Sequence, residues 1–258
     1  MNGLTTINIE LTSRCQKNCS MCGRRKIERD YPDIAMNYGD MDFNLVKHIA
    51  QQVPTGTIVQ FHNNGEPTLY PELWSALKLF GHCIRQFNTN GILLAEKAID
   101  IIDNLDVLTI SVIEDDIAQK EIVSKFIDIK GGRNPRLVYR LLGDVDPTYW
   151  EGLPGMIVTR TLHEPMGSFG YKKPVPIPEI GICLDLLSHL SIDRLGNVSP
   201  CVRFDPNSEN IIGNVRLESL DTIWNGTMRT SLLQMHIDGH RNLVSFCNKC
   251  HFWGCIVA

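Results

Sequence analysis

Three cysteines, Cys15, Cys19 and Cys22, stand in C-x₃-C-x₂-C spacing directly after the apolar run Thr6–Leu11, and they constrain this chain more than any other feature. Three thiolates on one tight loop do not complete the four-ligand shell of a structural zinc site. They can hold three corners of a cubane 4Fe–4S cluster and leave its fourth iron open to another molecule. A zinc site finished by a distant histidine is the alternative reading of the spacing. A loop leaving the first strand at the C-terminal mouth of a β/α barrel is also where such folds carry their chemistry.

The redox setting agrees with metal ligation. The 258 residues include nine cysteines, and the N-terminus lacks a basic stretch followed by an apolar one. The chain is therefore expected to be cytoplasmic, where clustered cysteines ligate metal rather than pair as disulfides. Cys183, Cys201, Cys247, Cys250 and Cys255 form a second group in the last third, while Cys83 stands alone and reads as a small buried hydrophobe. A net charge of −4 argues against a large nucleic-acid footprint. No run of about 18 apolar residues is present, so no membrane partner is expected.

Short apolar runs recur at Thr6–Leu11, Thr57–Phe61, Ile84–Phe87, Val107–Val112, Leu137–Leu141 and Met156–Val158. Helical spacing fills the early gaps, at Asp42–Gln52 and at Pro71–Phe80, where Leu73, Trp74, Leu77 and Phe80 read as the inward face. Strand then helix, repeated, predicts an α/β fold with a parallel sheet. The stretch from Leu137 to Met156 is too short for a full helical unit, so the expected form is a shortened, partial TIM-like (β/α) barrel over residues 1–170. The proline-rich stretch Lys172–Pro178 predicts a linker over 171–181. Residues 182–258 are expected to form a small second domain. It comprises a hairpin turning at Gly196, between Ser188–Asp193 and Val198–Val202, and one or two helices in Leu217–Met235 with Ile223, Trp224, Leu232, Leu233 and Met235 inward. Cys183, Cys201, Cys247 and Cys250 supply four thiolates, a full shell for zinc or for an iron–sulfur cluster, and spacing alone does not choose between them.

The C-x₃-C-x₂-C loop after the first strand resembles the radical SAM superfamily; where that family often has an aromatic residue before the third cysteine, this chain has Met21. The resemblance implies that the amino and carboxylate groups of S-adenosylmethionine (SAM) chelate the open iron. Reductive cleavage would then yield methionine and a 5′-deoxyadenosyl radical, with flavodoxin or ferredoxin as electron donor. Gly65-Glu66-Pro67 is similar to the family's SAM-binding motif, and Asn88-Thr89-Asn90-Gly91 to its Thr-Asn-Gly element. Ser111 matches a position near the ribose, and Arg140 could pair with the SAM carboxylate.

The tail, with Gly196 five residues before Cys201, Gly213-Asn214-Val215, Ile223-Trp224-Asn225 and a closing C-x₂-C, resembles the SPASM/twitch extension. With only Cys255 after that pair, the resemblance implies the shortened twitch version. One auxiliary 4Fe–4S cluster would be held by Cys183, Cys201, Cys247 and Cys250, leaving His251 and Cys255 outside it. The tail is most similar to that of deoxy-scyllo-inosamine dehydrogenases, through Leu195-Gly196-Asn197-Val198 and Asp238-Gly239-His240-Arg241. That implies hydrogen abstraction from a small polar or carbohydrate-like substrate and its oxidation, the auxiliary cluster accepting an electron. Polar groups expected at the mouth are His62, Asn63, Asn64, Glu66, Asp144, Arg160 and Glu164, with Arg160 or Glu164 taking the proton. The alternatives are a maturase that epimerises or crosslinks a ribosomally made peptide, and a non-catalytic zinc-binding adaptor.

Overall fold

The structure is a computed structural model that describes residues 1–35, 37–113, 117–160, 182–202, 205, 207–248 and 250. Six parallel strands, β1 (Thr6–Ile9), β2 (Ile58–Gln60), β3 (Ile84–Thr89), β4 (Val107–Val112), β5 (Arg136–Leu142) and β6 (Met156–Arg160), lie side by side in chain order. All six coincide with predicted apolar runs. Strands such as Val-Leu-Thr-Ile-Ser-Val of β4 are covered on both faces, which is why they read as continuous rather than alternating. The sheet stays open, with β6 at one edge, as a partial barrel.

Past β1 the sheet continues into the tail. β7 (His189–Ile192) pairs parallel with β1, and β8 (Asn197–Ser199) and β9 (Gly213–Asn214) follow antiparallel. Gly196 makes the predicted turn with φ +91°, a conformation that favours glycine. Leu190, Ile192, Val198, Ile212, Val215, Leu220, Ile223 and Trp224 of the tail join the same buried cluster as Ile7, Ile9 and Val59 of the barrel strands. The helices Leu220–Asn225 and Thr227–Ile237 fill the predicted Leu217–Met235 segment. Buried Arg229 ties them down: its guanidinium stacks 3.4 Å from the Trp224 ring centroid and donates to the carbonyls of Leu186, Leu187 and Trp224.

Of the predicted helices, Phe43–Ala50 starts at Asp42, whose carboxylate accepts from the amides of Asn44 and Leu45. Leu73–Leu79 begins two residues after Pro71, and it turns Leu73, Ala76 and Leu77 inward. Trp74 is the exception to the expected face. It lies 42% exposed with the Lys78 ammonium 4.1 Å above its ring, so the helix hides its indole under a cation rather than in the core. Between β5 and β6 only a 3₁₀ turn, Pro147–Tyr149, forms, as the short spacing predicted. Cys83 is buried, as expected. The Pro-rich stretch, Glu164, His251 and Cys255 lie outside the described residues.

Candidate active site

The loop after β1 carries Cys15, Cys19 and Cys22 to the C-terminal mouth of the sheet. The Cys22 amide donates to the Cys19 carbonyl, and the helix Gly23–Asp30 follows with Cys22 as its N-cap. The loop after β2 docks directly against its base. The Glu66 amide donates to the Arg14 carbonyl at 2.8 Å, and a Cβ on Gly65 would stand 1.9 Å from the Thr12 carbonyl oxygen. Only a residue without a side chain permits that approach.

A cavity of about 360 Å³ opens at this junction, a size suited to a cofactor cleft. The three cysteines line it together with His62, Asn63, Asn64, Gly65, Glu66, Asn88, Thr89, Asn90, Ser111, Arg140 and Arg160, so the ends of six strands contribute. Lys17, Met21, Gly23, Ile113, Leu142 and Val202 complete the lining, and the sequence reading had not assigned any of them to the site. Two predicted residues stand elsewhere. Pro67 is buried at the start of the 3₁₀ turn Pro67–Leu69, where its missing donor costs nothing, and it is not among the lining residues. Asp144 is exposed and away from the lining.

Glu66 lines the cavity but is turned into the protein. Its Oε1 accepts from the Thr68 amide, Thr68 Oγ1 and Thr89 Oγ1, and its Oε2 accepts from the Asn90 amide at 2.7 Å. Burial raises its carboxyl, while those donors pull the other way. It is a strut joining the loops that follow β2 and β3, with both oxygens already engaged. Gln119 is a second strut: its side-chain amide donates to the carbonyls of Asn90 and Ser111. A glutamine within the helix Ile117–Lys130 reads as a surface residue in sequence, and only its packing reveals the role.

His62 sits at the floor, where its Nδ1 accepts the Asn88 amide proton at 3.3 Å. A backbone N–H only donates, so the neutral ring carries its proton on Nε2. Burial, with the charges of Arg140 and His189 adding, pushes His62 down to about 3. The folded state thus binds one proton fewer than the unfolded chain below the ordinary histidine value of 6.5. Stability is complete above that pH and is lost as pH falls toward 3. His62→Phe is expected to reduce by roughly 2 kcal/mol the stability that is lost between pH 7 and pH 5, read by denaturant titration at each pH.

The donor set fits a cluster. Burial raises Cys22, and the neighbouring Cys15 adds to the rise while the Arg24 amide opposes it. In the tail, burial and the charges of Cys250 and Cys183 push Cys247 up to about 12. Raised in this way the thiols stay neutral on their own, and an iron–sulfur unit would supply the positive charge that deprotonates them. The eight described cysteines form no disulfide. Among the described residues no three Cys, His, Asp or Glu side chains converge on one ion. Arg241 braces the closing pair by donating to the carbonyls of Cys247 and Cys250. Cys201 is reached by the side-chain amide of buried Asn210 at 3.4 Å.

The comparisons with known proteins coincide with this geometry. BtrN in complex with AdoMet and 2-DOIA superimposes with a TM-score of 0.62 at 20% identity, over 96% of this chain and 92% of that one. The anSMEcpe protein with bound AdoMet gives 0.66 at 12% identity, over 96% and 87%. Streptococcus suis SuiB bound to S-adenosylmethionine gives 0.57 at 12%, over 98% and 73%. Over 105 residues the chain is 30% identical to the tungsten-containing aldehyde ferredoxin oxidoreductase cofactor-modifying protein of Pyrococcus furiosus. That match spans 38% of this chain and only about a quarter (27%) of the relative. This chain shares with those three structures the fold of an open, mostly parallel sheet with helices, and its three-cysteine loop lies at the mouth of the first strand. Residues 183–251 match the SPASM iron–sulfur cluster-binding domain, a stretch that contains Cys183, Cys201, Cys247 and Cys250. Among the described residues no helix is long and apolar enough to cross a membrane.

Proposed function

We propose that this chain binds SAM in the cavity beside Cys15, Cys19 and Cys22, cleaves it reductively, and oxidises a C–H position of a small polar substrate. When bound, the N-terminal cluster supplies the electron that splits the sulfonium, and the auxiliary cluster takes up the electron that the substrate releases. The observation that carries the reading is the docking of the Gly65–Glu66 loop on the cysteine loop, which opens one polar cavity against three thiolates.

The chain's own groups then divide the work. Cys15, Cys19 and Cys22 would hold the cluster by their thiolates. Gly65 brings backbone close to the bound cofactor. Glu66 and Gln119 lock the Thr89–Asn90 and Ser111 carriers in place. Arg140, half-buried on β5, is placed to receive the SAM carboxylate in a two-pronged bond. Loss of a hydrogen atom, a proton and an electron from a carbinol carbon leaves a carbonyl, so a proton acceptor is required. A guanidinium keeps its proton, which assigns Arg160 to positioning and Glu164 to proton uptake. Cys183, Cys201, Cys247 and Cys250 hold the second cluster. A peptide substrate is the second reading, favoured by the likeness to SuiB bound to its precursor peptide SuiA.

The test is anaerobic purification, with iron counted and SAM supplied under reduction. About eight irons per chain and 5′-deoxyadenosine are expected. A colourless protein that leaves SAM intact defeats the proposal. A two-dalton loss on a free small molecule supports dehydrogenation, whereas a mass change or deuterium uptake on a peptide supports the second reading.

A further inference from the structure

We propose that Glu10 is a positioning residue: its carboxylate holds the loop proposed to bind SAM and the hairpin leading to Cys201 in one fixed arrangement, and so couples the two cofactor sites. The inference rests on the reading of this chain as a two-cluster enzyme, and it names the group that sets one site against the other.

Glu10 follows β1 directly, on the way into the three-cysteine loop, and only 4% of it is exposed. A carboxylate at that depth needs donors on its oxygens. They come from two separate loops. Oε1 accepts from the Asn64 amide at 3.2 Å and from the Asn64 side-chain amide at 3.3 Å, next to Gly65. Oε2 accepts from the Arg194 amide at 3.3 Å, in the turn between β7 and β8. The Glu10 amide completes the junction by donating to the Ile192 carbonyl at 2.9 Å. One residue thus grips the loop after β2 on one side and the hairpin on the other.

A second cavity, of about 300 Å³, lies at this junction. Glu10, Asn64, Arg194 and Cys201 are in its lining, and Asn63, Asn64 and Val202 line both this cavity and the one beside the three cysteines. The grip of Glu10 therefore falls between the proposed SAM cavity and a cysteine of the second group. Asn63 adds a lighter tie by donating to Ser191 Oγ at 2.9 Å. Asp193, the neighbouring carboxylate, is occupied within the turn by the amides of Leu195 and Asn197 and by the Asn197 side chain, so it does not substitute for Glu10.

The two oxygens carry different loads. Glutamine has the shape of glutamate but only one acceptor oxygen. That oxygen belongs opposite Asn64, where two donors converge, which turns the NH₂ group onto the Arg194 N–H. Glu10→Gln is thus expected to release the hairpin and keep the loop after β2, whereas Glu10→Ala releases both.

The experiment uses the anaerobically loaded full chain. Hydrogen exchange by mass spectrometry reads the peptides over Asn64 and Arg194, and calorimetry reads SAM affinity. Electron paramagnetic resonance reads the magnetic coupling between the two reduced clusters. In Glu10→Gln, exchange at Arg194 is expected to rise about tenfold with Asn64 near wild type, SAM affinity to stay within about twofold, and the coupling to weaken. In Glu10→Ala, exchange is expected to rise at both segments and SAM affinity to fall about tenfold. Unchanged exchange at Arg194 in both variants, unchanged coupling in both, or a uniform rise along β1 and β7, the mark of lost stability alone, overturns the inference. So does a Glu10→Gln protein that loses SAM while Arg194 stays protected. A wild-type chain that holds no iron or does not bind SAM strikes the underlying reading instead, and exchange at Arg194 and Asn64 still reports on Glu10.

Discussion

Cys19→Ala is expected to abolish 5′-deoxyadenosine formation, a loss of at least roughly 10⁴-fold, and to lower bound iron from about eight to about four per chain. The change is confined to the ligand. The turn is held by backbone, with the Cys22 amide on the Cys19 carbonyl and the Arg25 amide on the Cys22 carbonyl, so alanine leaves the loop its shape. The four tail cysteines keep their own cluster, and the remaining irons should show its signal in electron paramagnetic resonance. Iron counting and a single-turnover assay check both halves. Full iron with full activity would show that Cys19 is no ligand.

Gly65→Ala is expected to cost about 3 kcal/mol and to lower Tm by roughly 6–12 °C, with SAM binding lost at temperatures where the fold persists. The added methyl would meet Thr12 carbonyl oxygen at 1.9 Å, Thr12 carbonyl carbon at 2.7 Å and Arg14 carbonyl oxygen at 2.9 Å. All three are backbone atoms, so no rotamer change relieves the contact. The segment leading to Cys15 must move, and the bond from the Glu66 amide to the Arg14 carbonyl breaks with it. Gly132→Ala is the control: nothing lies within 4 Å of a Cβ there, and no measurable change is expected. Thermal unfolding and SAM titration of both variants decide the matter. Wild-type behaviour in Gly65→Ala would refute the docked arrangement of the two loops.

Much of the site was legible because its chemistry is local. The spacing of Cys15, Cys19 and Cys22 is set by how many residues a tight turn needs to present three sulfurs, and such spacings survive in one dimension. Gly65, Asn88, Thr89, Asn90, Ser111 and Arg140 were found because each follows or ends an apolar run, and parallel strands deliver their C-terminal ends to one mouth. Pro67, next to them in sequence, stands outside the lining because its imposed φ starts a turn. Trp74 was misplaced because spacing identifies a stripe but not which large residue a cation will cover.

By itself the sequence determined the six strands, the three-cysteine loop and the hairpin at Gly196, all of which depend on periodicity and on residues a few positions apart. Tertiary structure alone decided that the tail's β7 joins the sheet beside β1. It also decided that Glu66 props the loops that follow β2 and β3, that Gln119 bridges two strand ends, and that Arg140, Arg160 and His62 line one cavity. Those facts rest on contacts between residues far apart in the chain. Burial and register create them, and no local pattern encodes which buried charge will find a partner.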